Sequence, residues 1–143
     1  MTGPATGTRR RAREVAFRVA YQADVAGDDY AFAWKLRREE ESLTDDQAGL
    51  IDDVVGALAS RGPEIDAALS AAADHWPLAR LAATDRAVMR VALAELLARP
   101  GSPARVVLDE AIEIARRFGS SESGRFVNGV LDRAAHELRP AEF

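Results

Sequence analysis

Apolar residues recur along most of this chain at intervals of three and four, the spacing that lines up one face of an α-helix. Ala12, Val15, Ala16 and Val19 form the first such stripe, with Thr8 placed to cap a helix from Arg9 to about Ala26 and Gly27 placed to end it. A second helix follows Asp28 or Asp29 through the Tyr30–Glu40 stretch. Thr44-Asp45-Asp46-Gln47 has the capping-box pattern, with two acids in the first turn where the helix dipole favours them, and opens a third helix reaching Ser60. Pro63 suits the start of a fourth helix that ends near Asp74. His75-Trp76-Pro77 interrupts the pattern, and Leu78–Leu81 has room for one short turn. Thr84 is placed to cap a fifth helix to about Ala98, a sixth spans Ala104–Phe118 with Gly119 past its end, and a seventh runs from about Glu122 to Leu138. Period-two alternation is absent, so the predicted fold is all-α, a compact bundle of about seven helices. The interruption at 75–83 offers a boundary between two small helical subdomains.

The core follows from the same spacing. Val88, Met89, Ala92, Leu93 and Leu96 line the fifth helix, Leu108, Ala111, Ile112 and Ala115 the sixth, and Val127, Val130, Leu131 and Ala134 the seventh. Residues 1–8 read as a disordered tail, and 9–139 as one helical domain.

Composition agrees: 48% hydrophobic and 29% charged residues make an ordinary globular balance at a length suited to one domain. Cysteine is absent, which excludes disulfides and thiolate chemistry. With no apolar run of membrane-spanning length and no apolar leader, the expected location is the cytoplasm, with no membrane partner. The net charge of −4 argues at first against a polyanionic partner. Its distribution reverses that inference. Residues 1–18 hold five arginines against Glu14 alone, a net +4, so the other 125 residues sum to −8. A basic end on an acidic body points to a localised anionic partner.

On a helical wheel Arg9, Arg10 and Arg13 share one flank of the first helix, with Phe17 and Tyr21 beside Arg10, while Arg11 and Arg18 fall on the far side. Guanidinium groups bind phosphate through two parallel hydrogen bonds and stack on bases, and aromatic rings add stacking platforms. Two readings stand: a nucleic-acid-binding face, or a solvated basic face with both rings packed against a neighbouring helix. For residues of this kind the solvated face is the commoner outcome, and three consecutive arginines opposing the dipole at a helix N-terminus narrow the gap between the two. Phe126 lies off the stripe of the seventh helix next to Arg125, again free either to pack or to stack. Gly129 inside that helix costs about 1 kcal/mol relative to alanine, so a close approach to its backbone is expected.

Catalysis finds little support. His75 and His136 have no metal-ligand spacing, no phosphate-binding loop or nucleophile elbow is present, and Glu39-Glu40-Glu41 reads as a solvated face. No enzymatic activity, metal or cofactor is expected.

Three segments carry a resemblance: RRRAREVAFRVAYQ at Arg9–Gln22, LAATDRAVMRVALAELL at Leu81–Leu97, and VVLDEAIEIARRFGSSESGRFVNGVLDRAAHEL at Val106–Leu138. In collinear order across about residues 8–139 they resemble the NusB transcription-antitermination family. The resemblance implies an all-α factor that binds single-stranded boxA-type RNA in ribosomal RNA leader transcripts. Its partner would be the small-subunit ribosomal protein that serves as NusE, with RNA polymerase engaged indirectly. Arg9, Arg10, Arg11 and Arg13 match the family's arginine-rich motif, and Phe126 its RNA-contacting aromatic, which favours stacking there; Phe17 and Arg125 join the RNA-binding set. Tyr21, Asp85 and Glu122 match the partner-protein side or its border with RNA. Phe17 is larger, and Gly124 smaller, than the family pattern leads one to expect. The expected RNA path is a groove between the first and seventh helices, with about four phosphates neutralised and a log–log salt slope near −3. Two alternatives remain open: the NusB-like domain of a ribosomal RNA cytosine methyltransferase, or a homodimerising helical module without an RNA role. A homodimer that masks the arginine motif is compatible with either role.

Overall fold

The computed structural model describes the backbone of residues 5–143 and the side chains from Arg9 onward. Among the described residues there are seven α-helices and no strand. They are α1 (Ala5–Ala26), α2 (Tyr30–Glu40), α3 (Asp45–Ser60), α4 (Gly62–Ala72), α5 (Ala83–Ala98), α6 (Ala104–Phe118) and α7 (Ser123–Leu138), with single 3-10 turns at Leu78–Arg80 and Pro140–Glu142. The expected tail at 1–4 lies outside the described residues, and α1 starts at Ala5, which puts Thr8 within the helix rather than at its cap.

Local chemistry explains most of the ends. Gly27 takes a left-handed φ of 73° and ends α1, with the Asp28 amide donating to Ala23 O at 3.0 Å. Thr44 and Gln47 form the complete capping box of α3. Thr84 does not cap α5: the helix begins one residue earlier, at Ala83, behind an Ala82 cap without a side-chain hydrogen bond. Asp74 and His75 both adopt left-handed φ, 54° and 61°, so α4 closes at Ala72, two residues short of the sequence expectation.

Helix α5 organises the packing. Ten of its 16 residues are buried, and it contacts α1 and α3 on one side and α4, α6 and α7 on the other. The two groups of helices therefore share one continuous core, from Ala12 to Ala135, with α5 common to both. Helix α6 packs mainly on α5 and α7 and also reaches α1. The end of the chain folds back on the α5–α6 turn. Arg139 donates to the carbonyls of Leu96, Arg99 and Ser102 and pairs with Glu142, which in turn accepts from the Ala104 amide at 2.8 Å. Pro103 offers no capping side chain, so Glu142 supplies the anion at the N-terminus of α6 from 38 residues away.

Candidate nucleic-acid interface

The arginines of α1 share a helix but not an environment. Arg9 pairs with Asp46 in the first turn of α3 through two long contacts of 3.4 Å. Arg11 donates to Glu41 at 2.6 Å, and Arg37 approaches the same carboxylate at 3.6 Å. Arg10 is 53% exposed and donates from Nε to Glu110 of α6 at 2.9 Å. Among the described residues that is its one hydrogen bond, so both terminal amino groups stay open to solvent. Glu110 itself is buried. An exposed guanidinium held at Nε by a buried carboxylate keeps its fork aimed outward at reduced conformational cost.

Arg13 corrects the sequence reading. It is 5% exposed, forms a bidentate pair with Glu95 of α5 at 2.8 Å per contact, and approaches Glu110 at 3.4 Å. Ser102 Oγ donates at 2.8 Å to Glu95 Oε2, the oxygen that also accepts from Arg13 Nη2. Burial alone pushes the guanidinium pKa down, but the hydrogen bonds and charges of Glu95 and Glu110 outweigh it and hold the pKa above the ordinary arginine value. Arg13 thus presents almost none of its side chain to solvent. The flank that the wheel assigned to solvent is closed by α5 and α6, because Glu95 and Glu110 meet the guanidinium there.

Phe17 is corrected likewise. At 4% exposure it packs against Phe118, 5.3 Å between ring centroids, and Tyr21, 6.1 Å away. Tyr21 is exposed and lines a groove of about 450 Å³ with Arg18, Arg37, Thr84 and Phe118. Asp85, expected on the partner-facing surface, is 8% exposed, and its Oδ1 is buried without a hydrogen-bond partner. Its neighbour Thr84 reaches the groove instead.

At the other edge of α6, Arg125 and Phe126 are exposed, Phe126 at 38%. Arg125 lines a polar groove of about 410 Å³ with Glu122, Arg116 and Asn128. Helix α7 packs mainly on α4, α5 and α6, and α6 contacts both α1 and α7, so α6 bridges the two helices between which the RNA path was expected. Arg116 lies over Gly124, where an added Cβ would stand 2.9 Å from Arg116 Cγ. The missing side chain at Gly124 is thereby offset by a guanidinium from α6. Among the described residues nothing outside its own helix crowds Gly129, where an added Cβ would meet Arg133 Nη1 at 3.8 Å. The close approach expected there is absent among the described residues.

Sequence reasoning missed Glu95, Glu110 and Arg116. Glu95 left a signal, since a carboxylate inside the apolar run of α5 needs a buried cation. Among the described residues no cluster of three or more His, Cys, Asp or Glu side chains could hold a metal, and no helix is long and apolar enough to cross a membrane.

The sequence matches the family model described as the NusB family over residues 10–136. It is 40% identical over 134 residues to the transcription antitermination protein NusB of Koribacter versatilis, covering 93% of this chain and 92% of that one. Among solved structures it resembles NusB of T. maritima, with a TM-score of 0.83 and 34% identity over 96% of this chain and 94% of the other. It also resembles a chain in a crystal structure of the antitermination factors NusB and NusE in complex with double-stranded RNA, with a TM-score of 0.74 and 26% identity over 89% and 95%.

Proposed function

Because this chain belongs to the NusB family, we propose that it is a transcription antitermination factor that binds boxA-type RNA of ribosomal RNA leaders together with the ribosomal protein NusE. The observation that carries the RNA reading is Arg10: an exposed guanidinium, fixed at Nε by buried Glu110, with its phosphate-binding edge unoccupied. Arg9 and Arg11 flank it, both themselves exposed; the Arg9 pair with exposed Asp46 is displaced by a polyanion at little cost, because surface ion pairs contribute about 1 kcal/mol or less, while Arg11 is held by the partly buried Glu41. Arg13 acts indirectly, as the buried anchor that fixes Glu110 and hence Arg10. Phe126 serves as a stacking platform with Arg125 beside it. Phe17 supports Tyr21 from within the core.

The partner protein occupies the side of Tyr21, where the groove next to Thr84 meets the start of α5, while Glu122 lies at the RNA border near Arg125. Asp85, beside Thr84 in the first turn of α5, adds negative charge to that side, although its Oδ1 is enclosed. The protein acts as a recruiting surface rather than a catalyst, in the cytoplasm, and reaches RNA polymerase indirectly through its partner. The test is a titration of a single-stranded boxA-type oligonucleotide against a scrambled one, with and without NusE. Preference for the boxA sequence and tightening by NusE are expected; equal binding of both oligonucleotides with NusE present would overturn the reading.

A further inference from the structure

A second cationic element lies along the seam between α1 and α6, away from the arginine-rich motif. Arg117 of α6 donates to Glu14 of α1 at 2.6 Å, and Arg18 reaches the same carboxylate at 3.5 Å. Both guanidinium groups cover the ring of Phe118, with Cζ 5.1 Å and 5.0 Å from its centroid. Both are substantially exposed, and among the described residues neither has a second carboxylate.

Two carboxylates that touch α1 arginines each serve two cations, Glu41 with Arg11 and Arg37 and Glu14 with Arg18 and Arg117, and the second pair lies on the α1–α6 seam. Arg10 and Arg13 are balanced by Glu95 and Glu110, and Arg9 by Asp46. Arg18 and Arg117 share Glu14 alone, so one full positive charge is left uncompensated on an acidic protein. Glu14 lies one helical turn beyond Arg10 and Arg18 one turn beyond that, about 12 Å from Arg10 along the axis. The seam therefore leads from the free fork of Arg10 to Phe118 and on to exposed Tyr21, at the border with the groove assigned to the partner protein.

We propose that the RNA strand continues from Arg10 along the α1–α6 seam, with Arg18 and Arg117 as further phosphate contacts beside the Phe118 ring. This rests on the RNA-binding reading above. The uncompensated cation supplies the attraction and Glu14 the competing anion. Exposed aromatic surface at the far end suits unstacked bases, and a single strand bends to follow such a seam as a rigid duplex does not.

The proposal is tested by measuring the salt dependence of binding to a single-stranded boxA-type oligonucleotide. Wild type is compared with Arg10→Ala, Arg18→Gln/Arg117→Gln, Arg117→Gln alone and Glu14→Gln, with thermal unfolding as the control for folding. The double variant is expected to lower affinity roughly tenfold and to reduce the log–log slope by about 1.4, two contacts at about 0.7 each. Arg117→Gln alone takes about half of that slope and serves if the double variant folds poorly. Glu14→Gln, which frees both guanidinium groups, is expected to raise affinity severalfold, a gain that a purely structural role for these residues does not produce. An unchanged slope in both arginine variants, with Arg10→Ala still impaired, would refute the seam while leaving the functional reading intact. So would an effect seen only on pairing with NusE, which would assign the seam to the protein partner. Absence of RNA binding by wild type with NusE present would defeat the functional reading and this inference together.

Discussion

Arg13 of α1 and Glu95 of α5 face each other in a fork-to-fork pair, two hydrogen bonds of 2.8 Å between side chains that are both almost fully buried. Removing one partner strands the other's charge in the core, at a cost of about 3–5 kcal/mol. Arg13→Ala and Glu95→Ala are each expected to lower the denaturant midpoint by a corresponding amount. The folded fraction of Arg13→Ala, measured without denaturant at low temperature, should lose part of the RNA affinity through the loosened Glu110–Arg10 contact, less than Arg10→Ala loses. A fully stable Arg13→Ala protein with abolished RNA binding would show that Arg13 touches RNA after all.

Arg10 should matter most among the motif arginines, because its fork is the unoccupied one. Arg10→Ala is expected to weaken binding more than Arg9→Ala or Arg11→Ala. Glu110→Gln should reproduce part of the loss, and adding it to Arg10→Ala should cost little more. With Arg13 buried, the motif itself supplies three phosphate contacts and a salt slope near −2; the seam raises this toward about −3.5. Equal effects of the three single substitutions would contradict the orienting role of Glu110.

Phe126 stands clear of the core, so Phe126→Ala should leave the unfolding midpoint nearly unchanged. RNA affinity should fall by about 1–3 kcal/mol, the usual range for a base stacked on an aromatic ring. A drop in stability without a drop in affinity would return this ring to a packing role.

Two helical-end and mid-helix glycines should respond in opposite directions. At Gly119 an added Cβ would stand 2.7 Å from Ser123 Cβ and 2.8 Å from Ala115 O, so Gly119→Ala is expected to destabilise by about 1–3 kcal/mol. At Gly129 the space is open, and Gly129→Ala should stabilise by up to about 1 kcal/mol. If Gly129→Ala raises stability yet impairs RNA or NusE binding, a partner's backbone approaches there.

Glu142 is held below the ordinary glutamate range by the Ala104 amide and by Arg139. A depressed carboxylate contributes stability that is fully present above its unfolded pKa, about 4.3, and is lost as pH falls through the lower folded value. Unfolding midpoints of wild type and Glu142→Gln should therefore differ at neutral pH and converge in acid. A difference that persists or grows on acidification would contradict this linkage.

Much of the fold was legible because helical spacing and end signals are local. The bounds of α6, the capping box of α3 and the Gly27 stop all follow from residues within a turn of each other. The site was legible only in part. A helical wheel orders side chains around one axis but does not say which helices cover which flank. Arg13 and Phe17 were therefore placed with exposed neighbours, although Glu95, Glu110 and Phe118, 82 to 101 positions downstream, close over them. Arg18 was assigned to a far side for the same reason; it meets Phe118 there and shares Glu14 with Arg117. Thr84 failed as a cap because the chain turns into α5 one residue earlier, at Ala83.

The fold-back of residues 139–142 onto the α5–α6 turn ties the final residues to the helix that carries Glu110 and Arg117. Clipping four or five residues from that end, or crowding them with a fused purification tag, would unfasten the first turn of α6. The orientation of guanidinium groups on α1 would then loosen, although no RNA-facing side chain had been altered. Affinities measured on tagged and untagged protein should be compared with that tether in view.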